Sequence, residues 1–204
     1  MQTTILNVAI LPSDEIIAQA IAVSRRIGEE VSSEFTLNSV NLIPHITIYQ
    51  AQYPNKNIDK LKSITETLSS GQELFEITLD AITVSHETFL FWNCKKSLIL
   101  QNLQRKAVEL ANPLREGLIP SSLADVGGLS EGDRYDVKHF GALLIGSMYE
   151  PHITITRLKR KEDAEKTIKR VLQKKLSFRQ KALILGYLGA HGTVTGIVEN
   201  FYFK

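Results

Sequence analysis

The sequence predicts an α+β fold of two similar lobes, each a mainly antiparallel sheet flanked by helices, arranged with pseudo-twofold symmetry around a central cleft. Three observations predict it. The pentapeptide Pro-His-Ile-Thr-Ile occurs twice, at Pro44 to Ile48 and at Pro151 to Ile155. The segments flanking the two copies repeat in the same order, the signature of a duplicated unit. A chain of 204 residues with 43% hydrophobic content is long and apolar enough to bury a core, as one large domain or two small lobes.

Before the first copy, Thr4 to Leu11 reads as a strand, and Ser13 can cap a helix carrying Ile17, Ala20, Ile21, Ile27 and Val31 at near-helical spacing. Before the second, Phe89 to Asn93 reads as a strand, and Ser97 can cap a helix with Leu100, Leu103, Ala107 and Leu110, stopped by Pro113. After each copy comes a polar loop and a helix, with Leu61, Ile64 and Leu68 on one face of the first and Ala164, Ile168, Val171 and Leu172 on the second. Strands follow at Glu73 to Val84 and Phe178 to Leu188, running into turns at Ser85-His86-Glu87 and Gly189-Ala190-His191-Gly192, and each turn leads to another strand. The last residues, Glu199 to Lys204, continue an apolar, aromatic strand pattern and belong to the fold. The lobes are expected at approximately 1–86 and 87–204. Pro113 to Tyr149 holds too many glycines and prolines for one element and is expected to be an inserted loop or flap.

With 24 basic and 22 acidic residues the formal charge is +2, so overall charge does not make this a strong nucleic-acid binder and leaves local patches open. The single cysteine, Cys94, can form neither an internal disulfide nor a multi-thiolate metal site, and it points to a reducing, cytoplasmic setting. No run approaches the roughly 18 apolar residues of a membrane span, and the start carries no signal-type segment. A monomer without membrane attachment is expected.

On a strand alternate side chains share a face, so His45 and Thr47 project together while Ile46 and Ile48 pack behind. His152 and Thr154 repeat the device. A twofold relation between lobes would gather two imidazoles and two hydroxyls around one cavity suited to a phosphate. Histidine, with a reference pKa near 6.5, can serve as base in one copy and acid in the other. The hydroxyls can donate to the non-bridging phosphate oxygens. One such histidine alone is more often a structural hydrogen-bonder, but a paired imidazole and hydroxyl on each of two repeats has no packing rationale. The scheme needs no metal and no cofactor.

Two hydrophobic-His-x-Thr-hydrophobic motifs in repeated lobes resemble the two-histidine (2H) phosphoesterase superfamily, with bacterial 2′-5′ RNA ligase-like (LigT) and cyclic phosphodiesterase proteins as the nearest comparison. The resemblance implies a bilobal fold, catalytic His45, Thr47, His152 and Thr154, and hydrolysis of 2′,3′-cyclic or related RNA or nucleotide phosphodiesters, with reverse 2′-5′ ligation in some members. The implied partner is an RNA end or a small cyclic nucleotide. The long Pro113 to Tyr149 segment departs from the pattern and leaves the substrate open.

Strict alternation past the threonines selects Tyr49 and Thr156. Tyr49 could stack on a base or pack as a strand-end aromatic. Arg157 turns inward only at a bulge or strand end, whereas the resemblance gives it a substrate-binding role. The stretch from Arg157 to Lys175 is rich in Lys and Arg and reads as a solvated helix face before an RNA-binding one. His86, His139 and His191 are expected at the surface. Two other function classes stand beside the enzyme: a non-catalytic RNA or nucleotide-binding module using the same cleft, and a two-histidine metal site, disfavoured because no compact third ligand is present and threonine is a poor zinc ligand.

Overall fold

A computed structural model describes residues 1–125, 127–171 and 175–204. Among them are eight strands and five α-helices: β1 (Thr3–Leu11), α1 (Asp14–Glu30), β2 (Ile46–Pro54), α2 (Ile58–Ser70), β3 (Glu76–Ser85), β4 (Phe89–Cys94), α3 (Leu98–Ala111), α4 (Glu131–Phe140), β5 (His152–Arg157), α5 (Lys161–Ile168), β6 (Leu176–Arg179), β7 (Ala182–Leu188) and β8 (Val194–Tyr202). The fold is α+β, as predicted. The cap expectations are met by the hydroxyls of Ser13 and Ser97, which accept from the backbone N–H of Ile16 and Leu100. Helix α3 ends at Ala111, where the chain tightens into a 3-10 turn containing Pro113. On α5, Ala164 is buried and Ile168 packs beside it on the core. Leu172 lies outside the described residues.

The strands form one sheet in the order β6-β3-β4-β5-β2-β1-β7-β8, with every pair antiparallel. This corrects the expectation of two sheets. The halves are joined at the centre, where β2 and β5 are registered through Ile46 and Ile153 alone. Both isoleucines are fully buried, so the seam is fixed by core packing while the strands remain free to part on either side.

Connectivity departs from the sequence halves too. β3 pairs with β4, and β7 pairs with β1, so each half gives a strand to pair with the first strand of the other half. The helices cross in the same sense, α1 packing against β5 and α3 against β2. The repeat is therefore interlocked, and no cut near Ser85 would release two self-contained lobes. The predicted strand from Phe178 to Leu188 is split into β6 and β7. At the break the buried Gln180 side chain accepts from the Phe75 N–H at 3.0 Å.

The segment after Pro113 is not a bare flap. It contains α4, capped by Ser130, whose hydroxyl accepts from the Asp133 N–H, and closed by Gly141 at φ 64°. Arg115, 4% exposed, ties the segment together. Its guanidinium donates to Asn112 Oδ1 (2.6 Å) and to the carbonyls of Leu118 (2.6 Å), His139 (2.7 Å) and Lys138 (3.1 Å). Removing the guanidinium takes the donor from four part-buried acceptors at once. Arg115→Met should destabilise the protein by about 3 kcal/mol, as expected for loss of a buried charged donor. Limited proteolysis should then cut first between α3 and β5; unchanged stability with the same cleavage pattern as wild type would contradict this assignment.

Candidate active site

A cavity of about 450 Å³ opens over the central strands, a size ordinary for a small-molecule site. Thr47, Tyr49, His152, Thr154 and Arg157 all line it, while His45 lies behind the wall, 6% exposed. Because β2 and β5 run antiparallel through Ile46 and Ile153, each threonine is set beside the histidine of the other motif.

His152 is half-buried, its ring stacked on Phe91 with centroids 3.6 Å apart and planes 13° from parallel. Its Nδ1 lies 2.6 Å from the Glu150 carbonyl and donates to it, which leaves Nε2 as the acceptor in the neutral ring. Burial lowers the His152 pKa to about 4, opposed by the Glu150 carbonyl and assisted by neighbouring His45 and His86. His45 Nδ1 donates to the Ile43 carbonyl at 2.8 Å. Burial lowers its pKa as well, while the carbonyls of Ile43 and Gly192 act in the opposite sense by accepting from the ring. Both imidazoles are therefore neutral near pH 7, rather than the one neutral and one protonated ring that the reference pKa suggests.

The threonines are half-buried. Thr47 Oγ1 accepts from Asn7 Nδ2 at 2.9 Å, so its own proton is left to donate into the cavity. The strand beneath is held by Tyr149, whose hydroxyl donates to the Thr47 carbonyl at 3.0 Å.

Past the threonines both strands depart from strict alternation, and in the same place. The β1–β2 register steps from Val8↔Tyr49 to Ala9↔Thr47, leaving Ile48 as an extra residue. The β4–β5 register steps from Leu90↔Thr156 to Phe91↔Thr154, leaving Ile155 extra. Such a bulge shifts the facing pattern by one residue. Thr156 is accordingly buried, donating to the Phe35 carbonyl at 2.6 Å, and Arg157 turns into the cavity. Its guanidinium lies 5.1 Å from the Phe89 ring centroid and donates to His191 Nδ1 at 3.1 Å.

In the other strand Tyr49 is fully buried, with its hydroxyl 2.7 Å from the Phe140 carbonyl and 3.0 Å from Asn112 Oδ1. It packs and anchors the inserted segment, the structural one of its two sequence readings, and has no free ring face for a base. Gln50 takes the place equivalent to Arg157, lining the cavity three residues past its threonine. Simple alternation missed Gln50; overlaying the two repeats residue by residue would have found it.

His86 and His191, expected at the surface, both line the cavity from their turns, each with positive φ. His139 does stay outside it, stacked on Tyr135. The basic stretch is partly neutralised, Arg160 pairing with Asp163 and Lys161 with Glu87 on exposed surface. Among the described residues no cluster of three or more His, Cys, Asp or Glu could hold a metal ion, and no helix is long and apolar enough to cross a membrane.

Solved structures match this architecture from end to end. E. coli LigT complexed with 3′-AMP superimposes with a TM-score of 0.61 at 16% identity, covering 100% of this chain and 99% of that one. The chain has the LigT fold. A Thermus thermophilus protein, TT0787, gives 0.60 at 14% identity over 98% and 97% of the two chains, and a structure described as a phosphoesterase gives 0.55 at 15% over 98% and 99%. LigT has also been crystallised with phosphate, ATP and NADP+. No family model and no curated protein matches the sequence. The LigT fold is thus carried here at an identity where few side chains coincide.

The lowered His152 pKa has a direction that can be measured. Its folded-state value lies below the reference 6.5, so its contribution to stability is complete above pH 6.5 and is lost as pH falls from there toward 4. In an NMR titration the free protein should show a histidine ring with a midpoint near 4. Inorganic phosphate should raise that midpoint, since an anion favours the charged ring; a midpoint at 6.5 that phosphate does not move would contradict the geometry.

Proposed function

We propose that the protein is a metal-independent phosphodiesterase of the two-histidine type, hydrolysing 2′,3′-cyclic phosphates or related RNA or nucleotide phosphodiesters. Membership of the 2H superfamily and the catalytic roles of His45, Thr47, His152 and Thr154 are part of the same reading, as is reverse 2′-5′ ligation on a suitable RNA end. The observation that carries it is the convergence of both His-x-Thr motifs on the one seam between β2 and β5, with the two rings close enough to influence each other's protonation. The LigT fold and the nucleotide complexes of LigT support it.

In hydrolysis of a cyclic phosphate a water oxygen attacks phosphorus while the bond to one ribose oxygen breaks. His152, neutral and with Nε2 toward the cavity, takes the proton from water. For His45 to deliver a proton to the departing oxygen, its second N–H must turn from the Gly192 carbonyl to that oxygen, while the Ile43 carbonyl keeps Nδ1. The phosphate's own negative charge restores the proton affinity that burial removes. Thr47 and Thr154 donate to the non-bridging oxygens, and Thr47 is held in the donating sense by Asn7.

His45→Ala and His152→Ala should each lower kcat by roughly 100-fold to 10,000-fold on nucleoside 2′,3′-cyclic phosphates, with far-ultraviolet circular dichroism and melting unchanged in kind. Wild-type turnover by a folded double variant would refute the assignment. Wild-type protein that binds these nucleotides but never cleaves them would establish the non-catalytic module instead. Activity should also persist in excess chelator, because the chemistry is carried by side chains; loss on chelation, restored by one divalent ion, would place the protein in the metal-dependent class.

A further inference from the structure

His45 is separated from the cavity in which its chemistry would take place. The ring is 6% exposed and does not line the cavity, whereas Ala190, His191 and Gly192 do. The Gly192 carbonyl faces the ring nitrogen that the Ile43 carbonyl leaves unused. The β7–β8 turn therefore stands between one imidazole of the pair and the seam.

The base of this turn is fixed in ways its tip is not. At the base the Gly189 N–H donates to the Thr193 carbonyl at 2.8 Å, and the Thr193 hydroxyl donates to the Ala190 carbonyl at 2.8 Å. The Ile43 N–H donates to the Val194 carbonyl at 3.0 Å, tying the end of the turn to the chain just before His45. The tip carries an exposed Ala190 and half-buried His191 and Gly192, the last two in left-handed backbone at φ 58° and 74°. His191 holds the tip to its surroundings: its ring stacks on Phe35 with centroids 6.0 Å apart, and its Nδ1 accepts from the Arg157 guanidinium at 3.1 Å. Arginine has only donors, so His191 presents a lone pair at that nitrogen. Gly192 adds little hold while His45 is neutral, because the single ring proton goes to the Ile43 carbonyl and the other nitrogen turns a lone pair toward a carbonyl oxygen. A phosphate competes for the same Arg157 N–H groups with a full negative charge and a bidentate geometry that one imidazole nitrogen lacks.

We propose that the tip from Ala190 to Gly192 is a gate over His45 and that His191 is its latch, a positioning residue that keeps the gate shut through Arg157 until a phosphate takes the guanidinium. Phosphate binding beside the second motif is thereby coupled to exposure of the histidine of the first, and His45 meets the cavity only when the cavity is occupied. The gate rests on the phosphodiesterase reading only in giving Arg157 a phosphate to hold and His45 a proton to deliver.

The latch can be read without turnover. His191→Gly and His191→Asn both suit a left-handed backbone, but only asparagine keeps an acceptor near the position of the imidazole Nδ1. Arg157→Met removes the donor and leaves the sequence of the turn intact. In phosphate-free buffer, carbethoxylation mapped by mass spectrometry should label His45 of the wild type far more slowly than the exposed His139. His191→Gly and Arg157→Met should each speed His45 labelling about tenfold, the factor expected for a hydrogen bond to a charged group, while His191→Asn stays near wild type. Calorimetry with inorganic phosphate should show about tenfold tighter binding to His191→Gly, since opening the gate no longer opposes it; a residue that merely supported Arg157 or the ligand would weaken binding when removed. Wild-type labelling of His45 in both latch variants, phosphate binding weakened by His191→Gly, or His191→Asn behaving as His191→Gly would each overturn the gate. Both expected results in a protein that cleaves no phosphodiester would keep the gate and remove the catalytic reading, whereas cleavage with unaltered His45 labelling would remove the gate alone.

Discussion

The cleft depends on how two central strands meet. β2 and β5 share one registered pair, Ile46 with Ile153, and both side chains are sealed in the core. Burying two isoleucines is worth several kcal/mol by transfer, about 1.5–3 each, enough to pin the seam without a long ladder. Residues facing the other way are thereby committed to the cavity side. Because the strands run antiparallel, His45 and Thr47 meet Thr154 and His152 in reciprocal order.

Low polarity then sets the protonation. Both imidazoles give a proton to a main-chain carbonyl two residues earlier in sequence, Ile43 for His45 and Glu150 for His152, which fixes the tautomer in each repeat by the same local geometry. Burial opposes the charged ring in both. What distinguishes them is the second nitrogen: toward the Gly192 carbonyl in His45, toward the cavity in His152. Local strand chemistry is symmetric, and the surroundings supplied by other elements make the two rings unequal.

Much of this is legible in the sequence because it is periodic. The caps at Ser13 and Ser97, the helical faces of α1 to α3 apart from the exposed Leu110, and the paired motifs follow from spacing within a few residues. What was not legible is long-range. Exchange of β3 and β7 between halves cannot be read from local pattern, since a strand's partner is set by packing across the chain. The bulges at Ile48 and Ile155 are invisible for a related reason: an extra residue leaves the hydrophobic sequence unchanged and alters only the register against β1 and β4. That one-residue shift is why Arg157 and Gln50 line the cavity and why Thr156 is buried. His86 and His191 were misplaced because a polar turn residue reads as solvent-facing until the turn is found at a cavity rim.

The measurement that bears most directly on the two-histidine account is the pH dependence of kcat/KM, which reports the ionisations of the free protein. Because burial lowers the pKa of both rings in the free protein, the account predicts a bell whose limbs both lie below 6.5, the acid limb belonging to neutral His152 and the alkaline limb to protonated His45. His152→Ala should abolish the acid limb in the residual activity and leave the alkaline limb in place. An identical bell in wild type and His152→Ala would contradict it.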